Sequence, residues 1–223
     1  DADERKRTEE LIRPILRGRD IKRYEYNWAG LWLIATFPSR HYNIEDYPAV
    51  KTHLLSIGKE RLEQTGKSYV INGEKIKSRK KTNNKWFETQ DSIGYWEDFS
   101  KQQIIWIELS DEPKFALVEN ITSLNTIFFM TGEHILHVLG LLNSKLITWY
   151  FHHCIGTTSG VGTNRWLKYT IEQIPMVTAN RELELMVSSI SKHYKIDVDI
   201  AIDNFVCKLY TLTEKEKNFI INQ

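Results

Sequence analysis

At 223 residues, with 41% hydrophobic and 26% charged residues, the chain is long enough to bury one substantial core with a small helical appendage, and 12% aromatic residues exclude a disordered composition. Two cysteines, Cys154 and Cys207, exclude a disulfide framework and a four-cysteine zinc site. No apolar run reaches the roughly 20 residues of a membrane span, and the charged start is not a signal peptide, so a cytoplasmic protein is expected. The net charge of +1 advertises no nucleic-acid binder by itself, so any such role rests on how the charges are distributed.

Asp1 in place of Met points to a segment of a longer polypeptide. Residues 5 to 23 carry Arg5, Lys6, Arg7, Arg13, Arg17, Arg19, Lys22 and Arg23 against Glu9, Glu10 and Asp20. LWLIATF (31 to 37), ended by Pro38, predicts a buried strand. Val50, Leu54, Leu55, Ile57 and Leu62 recur at near-helical spacing from Glu45 to Gln64 and predict a helix that stops at Gly66. Residues 66 to 85 are polar and basic, with no carboxylate from 75 to 85, and Asn72-Gly73 marks either an exposed loop or a hairpin. The positive segments make one basic face if they meet in space, and solvated loops if they do not.

QQIIWIEL, KFALVE and LNTIFFM predict a small sheet within 102 to 130. The stripe of Ile135, Val138, Leu139, Leu142, Leu146, Trp149 and Tyr150 predicts one long buried helix from His134 to His153. CIGTTSGVGTNRW (154 to 166) is a ligand-contacting loop or a plain connection, and YTIEQIPMV a strand that closes the main domain near residue 178. Residues 179 to 223 form a helical extension, its last helix opened by a capping box of Thr213 and Glu216. The expected fold is α+β: a small mixed sheet around a long buried helix, as one domain over 1–178, with the helical extension over 179–223.

In order along the chain, ELIRPILRGRDIKRY, WLIATFP, YPAVKTHL, KQQIIWIELS, LLNSKL and RWLKYTIEQIPMV resemble the C-terminal specificity domain of TaqI-like adenine methyltransferases and fused restriction enzymes. The tail IDNFVCKLYTLTEKEKNFI is similar to the ending of such polypeptides, so the resemblance spans nearly the whole chain. It implies a module that selects the site on double-stranded DNA, while an upstream domain in cis binds S-adenosylmethionine and transfers the methyl group. The chain's own residues agree, because amino-methyltransferases of this kind hold the target amino group in an Asn/Asp-Pro-Pro-aromatic loop, and no two of the five prolines here are adjacent. No catalytic residue, cofactor site or metal site is therefore expected in this chain. The basic loop departs most from the family pattern, as a variable reader would.

The candidate DNA contacts follow from residue chemistry. Arg17, Arg19, Lys22 and Arg23 offer guanidinium forks and point charges for phosphates or guanine edges, unless Arg17 or Arg19 pairs with Asp20. Lys75, Lys77, Arg79, Lys80, Lys81 and Lys85 with Asn83 and Asn84 combine phosphate-seeking cations with amides that pair with adenine, and Trp86 and Phe87 anchor that loop to the core. Thr158, Ser159, Asn164 and Arg165 add a third loop. Its Gly160, Gly162 and Arg165 match neither a dinucleotide fingerprint nor a nucleotide-triphosphate loop. His134, His137, His152, His153 and Cys154 lie at two ends of a helix about 20 Å apart, too far to share a metal. Two other functions stay open: subunit docking through the C-terminal helices, and a magnesium-dependent nuclease using Glu112 and Lys114 with Asp91 or Asp98.

Overall fold

The computed structural model describes residues 2–159 and 163–222. Helices take up 44% and strands 17%, the strands falling into several small sheets with no closed barrel among the described residues, which makes the fold α+β as expected. By its contacts the chain divides at 14/15, 31/32 and 96/97. One unit holds the chain up to Pro14 and Trp32–Trp96, the other Ile15–Leu31 and everything from Glu97 onward.

In the first unit, helix α1 (Ala2–Leu11) is polar and buries only Leu11. Strand β1 (Ile12–Leu16) follows at once, and its first three residues pair antiparallel with β2 (Trp32–Ile34). The strand expected over 31–37 is thus three residues long, and Trp32 is 57% exposed. Beyond Ile34 the backbone bonds leave the ladder: Ala35 donates to Leu11, Thr36 accepts from Thr89, and Pro38 opens a 3-10 turn. Ala35 and Phe37 are nevertheless buried.

The helix expected over 45–64 is two helices, α2 (Pro48–Ile57) and α3 (Lys59–Leu62). Pro48 has no N–H to donate and therefore starts a helix, and Gly58, at φ 101°, ends the first one. Val50 and Leu54 join Leu11, Ile44 and Phe87 in a small core, whereas Leu55 and Ile57, also assigned to the apolar stripe, are exposed. Strands β3 (Ser68–Ile71) and β4 (Glu74–Lys77) then form a hairpin, the second of the two alternatives for this segment.

In the second unit, β5 (Gln103–Ile107) is the middle strand of an antiparallel sheet, between β6 (Ala116–Val118) and β8 (Ile127–Met130). The two-residue β7 (Thr122–Ser123) pairs in parallel with Ile15 and Leu16. The period of two along β5 separates two cores. Ile104 and Trp106 face the large helical core, and Ile105 faces a smaller cluster with Leu16, Ile21, Ala116, Val118 and Ile127.

The predicted long helix is interrupted. Helix α4 (Ile135–Asn143) ends where Ser144 adopts an extended backbone, and the Ser144 hydroxyl accepts from Ile147 N–H to cap α5 (Lys145–Tyr150). Asn143 turns its amide onto the backbone of Phe115, so LLNSKL stitches the helix pair to the sheet. A π-type turn (Phe151–Ile155) leads to a short hairpin, β9 (Thr157–Thr158) with β10 (Asn164–Arg165). Where YTIEQIPMV predicts a strand, the chain forms a one-turn helix α6 (Lys168–Ile171), and the three-residue spacing of Ile171 and Ile174 puts both in the helical core.

The last three helices are α7 (Arg181–Lys192), α8 (Ile196–Leu209) and α9 (Glu214–Ile221). The expected capping box is present: Glu216 N–H donates to Thr213 Oγ1, and Thr213 N–H donates to the Glu216 carboxylate. Leu183, Val187, Ile190, Ile202, Val206 and Ile220 pack with Leu139, Leu142 and Ile147, so the residues after 178 belong to the principal core of this unit.

Candidate nucleic-acid interface

The hairpin of the first unit turns at Asn72 (φ 50°) and Gly73 (φ 82°), the left-handed pair that a two-residue turn requires. With Ser68 opposite Lys77 and Val70 opposite Lys75, alternation puts both lysines on one exposed face and Ile76 on the buried one. Lys80, Lys81 and Asn83 continue along the exposed chain, and like Lys75 and Lys77 their side chains make no hydrogen bond or ion pair among the described residues.

Three of their neighbours are engaged within the unit. Arg79 donates to the carbonyls of Leu62, Trp86 and Glu88, and burial lowers its pKa from the ordinary guanidinium value. Asn84 directs both amide N–H groups to the carbonyls of Thr89 and Gln90. Lys85 lies over the Phe87 ring, its backbone N–H bound by Glu88. Arg79 and Asn84 therefore tie down the base of an excursion whose outer surface is cationic. Phe87 is buried and Trp86 partly buried, in the small core of this unit.

In the second unit, LRGRDIKRY folds into two successive turns. Arg17 grips Asp20 in a fork, with Nη2 to Oδ1 at 2.7 Å and Nε to Oδ2 at 3.0 Å, and the Arg17 backbone N–H adds a third bond. The hydrogen bond from Arg17 holds the Asp20 carboxyl below the ordinary range. This is the pairing weighed above as the alternative to DNA contact. Gly18 sits where a Cβ would come within 2.9 Å of Ile107 Cγ2, so the turn presses on the end of β5.

The next turn, Lys22 to Glu25, places Tyr24 in the core at φ 63° and sends Arg23 inward. Arg23 forks onto Asp199 at 2.8 and 2.7 Å, donates to the Asn143 carbonyl and lies 3.8 Å from Asp203. Asp199 also accepts from the Tyr194 hydroxyl, and Asp203 accepts from Lys145 N–H. Burial raises the Asp203 carboxyl above its ordinary range. Of the four predicted cations, Arg17 and Arg23 are thus locked inside the unit, while Arg19 and Lys22 are exposed and make no side-chain bond or ion pair among the described residues.

The hairpin of β9 and β10 is fastened to the end of β5: Arg165 bonds Glu108, Leu109 bridges Arg165, and Trp166 N–H donates to Glu108 O. Asn164 donates to His152 Nε2 at 2.9 Å, Thr158 is exposed, and Ser159 is half-buried. Gly160 and Gly162 lie outside the described residues. Among the described residues no group of three or more His, Cys, Asp or Glu side chains could hold a metal ion for a nuclease. Glu112 is exposed beyond β5, Lys114 is half-buried past the buried Pro113, Asp98 pairs with Lys101, and Asp91 belongs to the other unit. Among the histidines, His134 meets Glu184, His137 bridges Val177 O and Asn180 N, and His153 meets the Trp149 carbonyl.

Two features escape the sequence reading. Asp199 and Asp203, one helical turn apart between Ile202 and Val206, are buried carboxylates that hold Arg23, and their spacing on an apolar helix face is the signal that finds them. Tyr26, Trp28 and Leu31 are exposed in one short loop; YNWAGL, which has neither helical nor strand period, marks it.

No helix among the described residues is long and apolar enough to cross a membrane. No curated protein matches the chain. The family model of the TaqI-like C-terminal specificity domain matches residues 13–176. This range runs from β1 through both turns of LRGRDIKRY and the basic hairpin to IEQIPM. The chain belongs to the TaqI-like C-terminal specificity domains, the DNA-recognition modules of restriction-modification methyltransferases.

Proposed function

We propose that this module selects the sequence at which a methyltransferase domain of the same polypeptide, the domain that binds S-adenosylmethionine, methylates adenine at N6. The carrying observation is the hairpin excursion. Lys75 and Lys77 share its exposed face, Lys80, Lys81 and Asn83 extend it, and no carboxylate occurs from 75 to 85. B-DNA's major groove, about 12 Å wide, admits a two-stranded ribbon, and ribbon readers are an established docking mode. In this reading the lysines neutralise phosphates along the groove while Asn83, whose amide is exposed, pairs with an adenine edge. Arg19 and Lys22 of the second unit add phosphate contacts. The chemistry itself lies elsewhere, because the sequence has no adjacent prolines with which to build a target-amino loop.

The chain alone is expected to bind duplex DNA weakly and with strong salt dependence. Exchanging residues 66–85 for the corresponding segment of a relative with another target, in the full methyltransferase, is expected to change the methylated sequence read by single-molecule sequencing. An active chimera that retains the original methylation pattern refutes the assignment of the hairpin as reader.

A further inference from the structure

Residues 26–31 are exposed one after another, and three of the six, Tyr26 at 36%, Trp28 at 40% and Leu31 at 40%, are large apolar side chains. The loop is held in shape at its base. Tyr26 bridges Ile21, Asn27 N–H donates to Asp20 O at 2.7 Å, Ile15 N–H donates to Leu31 O at 3.0 Å, and the Trp28 indole N–H reaches that same carbonyl at 2.9 Å. Exposed apolar side chains gathered on a fastened loop mark a contact surface, and one already ordered presents itself at little conformational cost.

The charge around the loop identifies the partner. Within 15–31 the acids are Asp20, held by Arg17, and Glu25, turned inward to the Tyr194 backbone N–H. Arg23 is likewise consumed by Asp199. What the segment turns outward is Arg19 and Lys22, on the turns to which the apolar loop is bonded. Apolar side chains flanked by exposed cations that make no side-chain bond among the described residues suit a duplex in which one base step is opened by a wedge while phosphates on either side are gripped.

We propose that residues 26–31 are a DNA wedge: Trp28, supported by Leu31, enters the duplex at a base step, and Arg19 and Lys22 hold the adjoining phosphates. This rests on the DNA-recognition reading above and assigns it a contact outside the hairpin. The test uses the full chain with a mixed-sequence duplex and the same duplex carrying one abasic site, where a step is already unstacked. The unchanged chain is expected to prefer the abasic duplex. Trp28→Ala is expected to lose that preference, with affinity for the abasic duplex falling about five- to one-hundredfold, as for loss of one base–aromatic stack. Its dependence on salt should be unchanged, Trp28→Phe should restore the preference, and Leu31→Ala, a second variant should Trp28→Ala fail to fold, should weaken it. If folded Trp28→Ala, or Leu31→Ala in its place, binds both duplexes as the unchanged chain does, the wedge is refuted and the hairpin reading stands. The wedge is equally refuted if DNA binding is unchanged but association with the separately expressed methyltransferase domain is lost, which would make the loop a protein contact. If the unchanged chain binds neither duplex even at low salt, the DNA reading fails and the wedge with it.

Discussion

Replacing Asp199 by Ala is expected to unfold the second unit at markedly lower urea. The carboxylate is 8% exposed and accepts two bonds from the Arg23 fork and one from the Tyr194 hydroxyl, while the Arg23 side chain is 24% exposed. Removing one partner of a buried pair leaves an uncompensated charge and costs about 3–5 kcal/mol. Here Asp203, 3.8 Å from Arg23, remains as a counter-charge, and the Asn143 carbonyl still accepts from the guanidinium, which places the loss near 3 kcal/mol. At an m-value of about 2–3 kcal/mol/M the midpoint moves down by about 1–1.5 M in urea. Arg23→Met is expected to cost less than Asp199→Ala, because two carboxylates next to each other can relieve their repulsion by taking up a proton. The double variant should be more stable than the sum of the single losses. Additive losses in this double-mutant cycle, or an unfolding free energy for Asp199→Ala within about 0.5 kcal/mol of the unchanged chain, would refute the argument that this fork fastens LRGRDIKRY to the helices.

Other consequences are as direct. A chain ended at residue 178 loses Leu183, Val187, Ile190, Ile202 and Val206 from the principal core along with Asp199, and near-ultraviolet circular dichroism is expected to show no fixed aromatic packing. Gly18→Ala brings a methyl group to 2.9 Å from Ile107 Cγ2 and should destabilise by about 1–3 kcal/mol, measured by the thermal midpoint. Lys80→Gln and Lys81→Gln should each reduce the slope of log affinity against log salt by about 0.9 on duplex DNA if the lysine sits on a phosphate, without altering the fold. His137 has a lowered pKa because of burial, its Nε2–H donates to Val177 O, and its Nδ1 accepts from Asn180 N–H. With the folded value below the unfolded 6.5, stability is full above that pH and is lost as pH falls toward the folded value. His137→Asn should therefore flatten the dependence of the denaturation midpoint on pH between about 7 and 5, leaving the part due to His152, which burial also lowers.

What was legible in the sequence follows from the range of the interactions involved. Asn72-Gly73 marked the turn, with loop or hairpin left open, because both central residues adopt positive φ readily, a property of the residues themselves. The three strands around β5 were legible because each is a short apolar run closed by turn residues. The break at Ser144 was not, since one hydroxyl within an apolar stripe looks the same whether it lies mid-helix or caps the next helix; here its bond to Ile147 N–H decides. Leu55 and Ile57 fit the helical period but belong to an exposed face, because the small core of the first unit is complete with Val50 and Leu54. Arg23 looked like a DNA contact because its partner, Asp199, lies 176 positions away in a helix that no local pattern links to it. Of the predicted cations, those with a carboxylate or carbonyl in reach became framework, and only the folded chain distinguishes them from the rest.

That division separates the residues that build the motif from those it leaves for contact. In LRGRDIKRY, Arg17 and Asp20 close one turn, Gly18 lets it press on β5, and Arg23 and Tyr24 anchor the next turn in the helical core. These residues are specified by contacts inside the unit, so they have no need to vary with the bases being read. Arg19 and Lys22, by contrast, make no side-chain bond among the described residues; on the proposed reading, cations there would serve any duplex, since a phosphate is the same at every step. The hairpin face of Lys75 and Lys77 and the chain through Asn83 can change without disturbing a core, because other residues, among them Ile76, Ser78, Arg79, Thr82 and Asn84, hold the segment in place. A reader that alters its target by substitution must keep its variable residues off the contacts that fold it. In this chain the exposed set of Lys75, Lys77, Lys80, Lys81 and Asn83 satisfies that condition, and Arg79 and Asn84, engaged with backbone carbonyls, do not. Substituting Lys80, Lys81 or Asn83 should therefore alter DNA binding with the thermal midpoint unchanged, whereas substituting Arg79 should first lower stability, by the about 1–3 kcal/mol that carbonyls left without a donor cost, and the thermal midpoint with it.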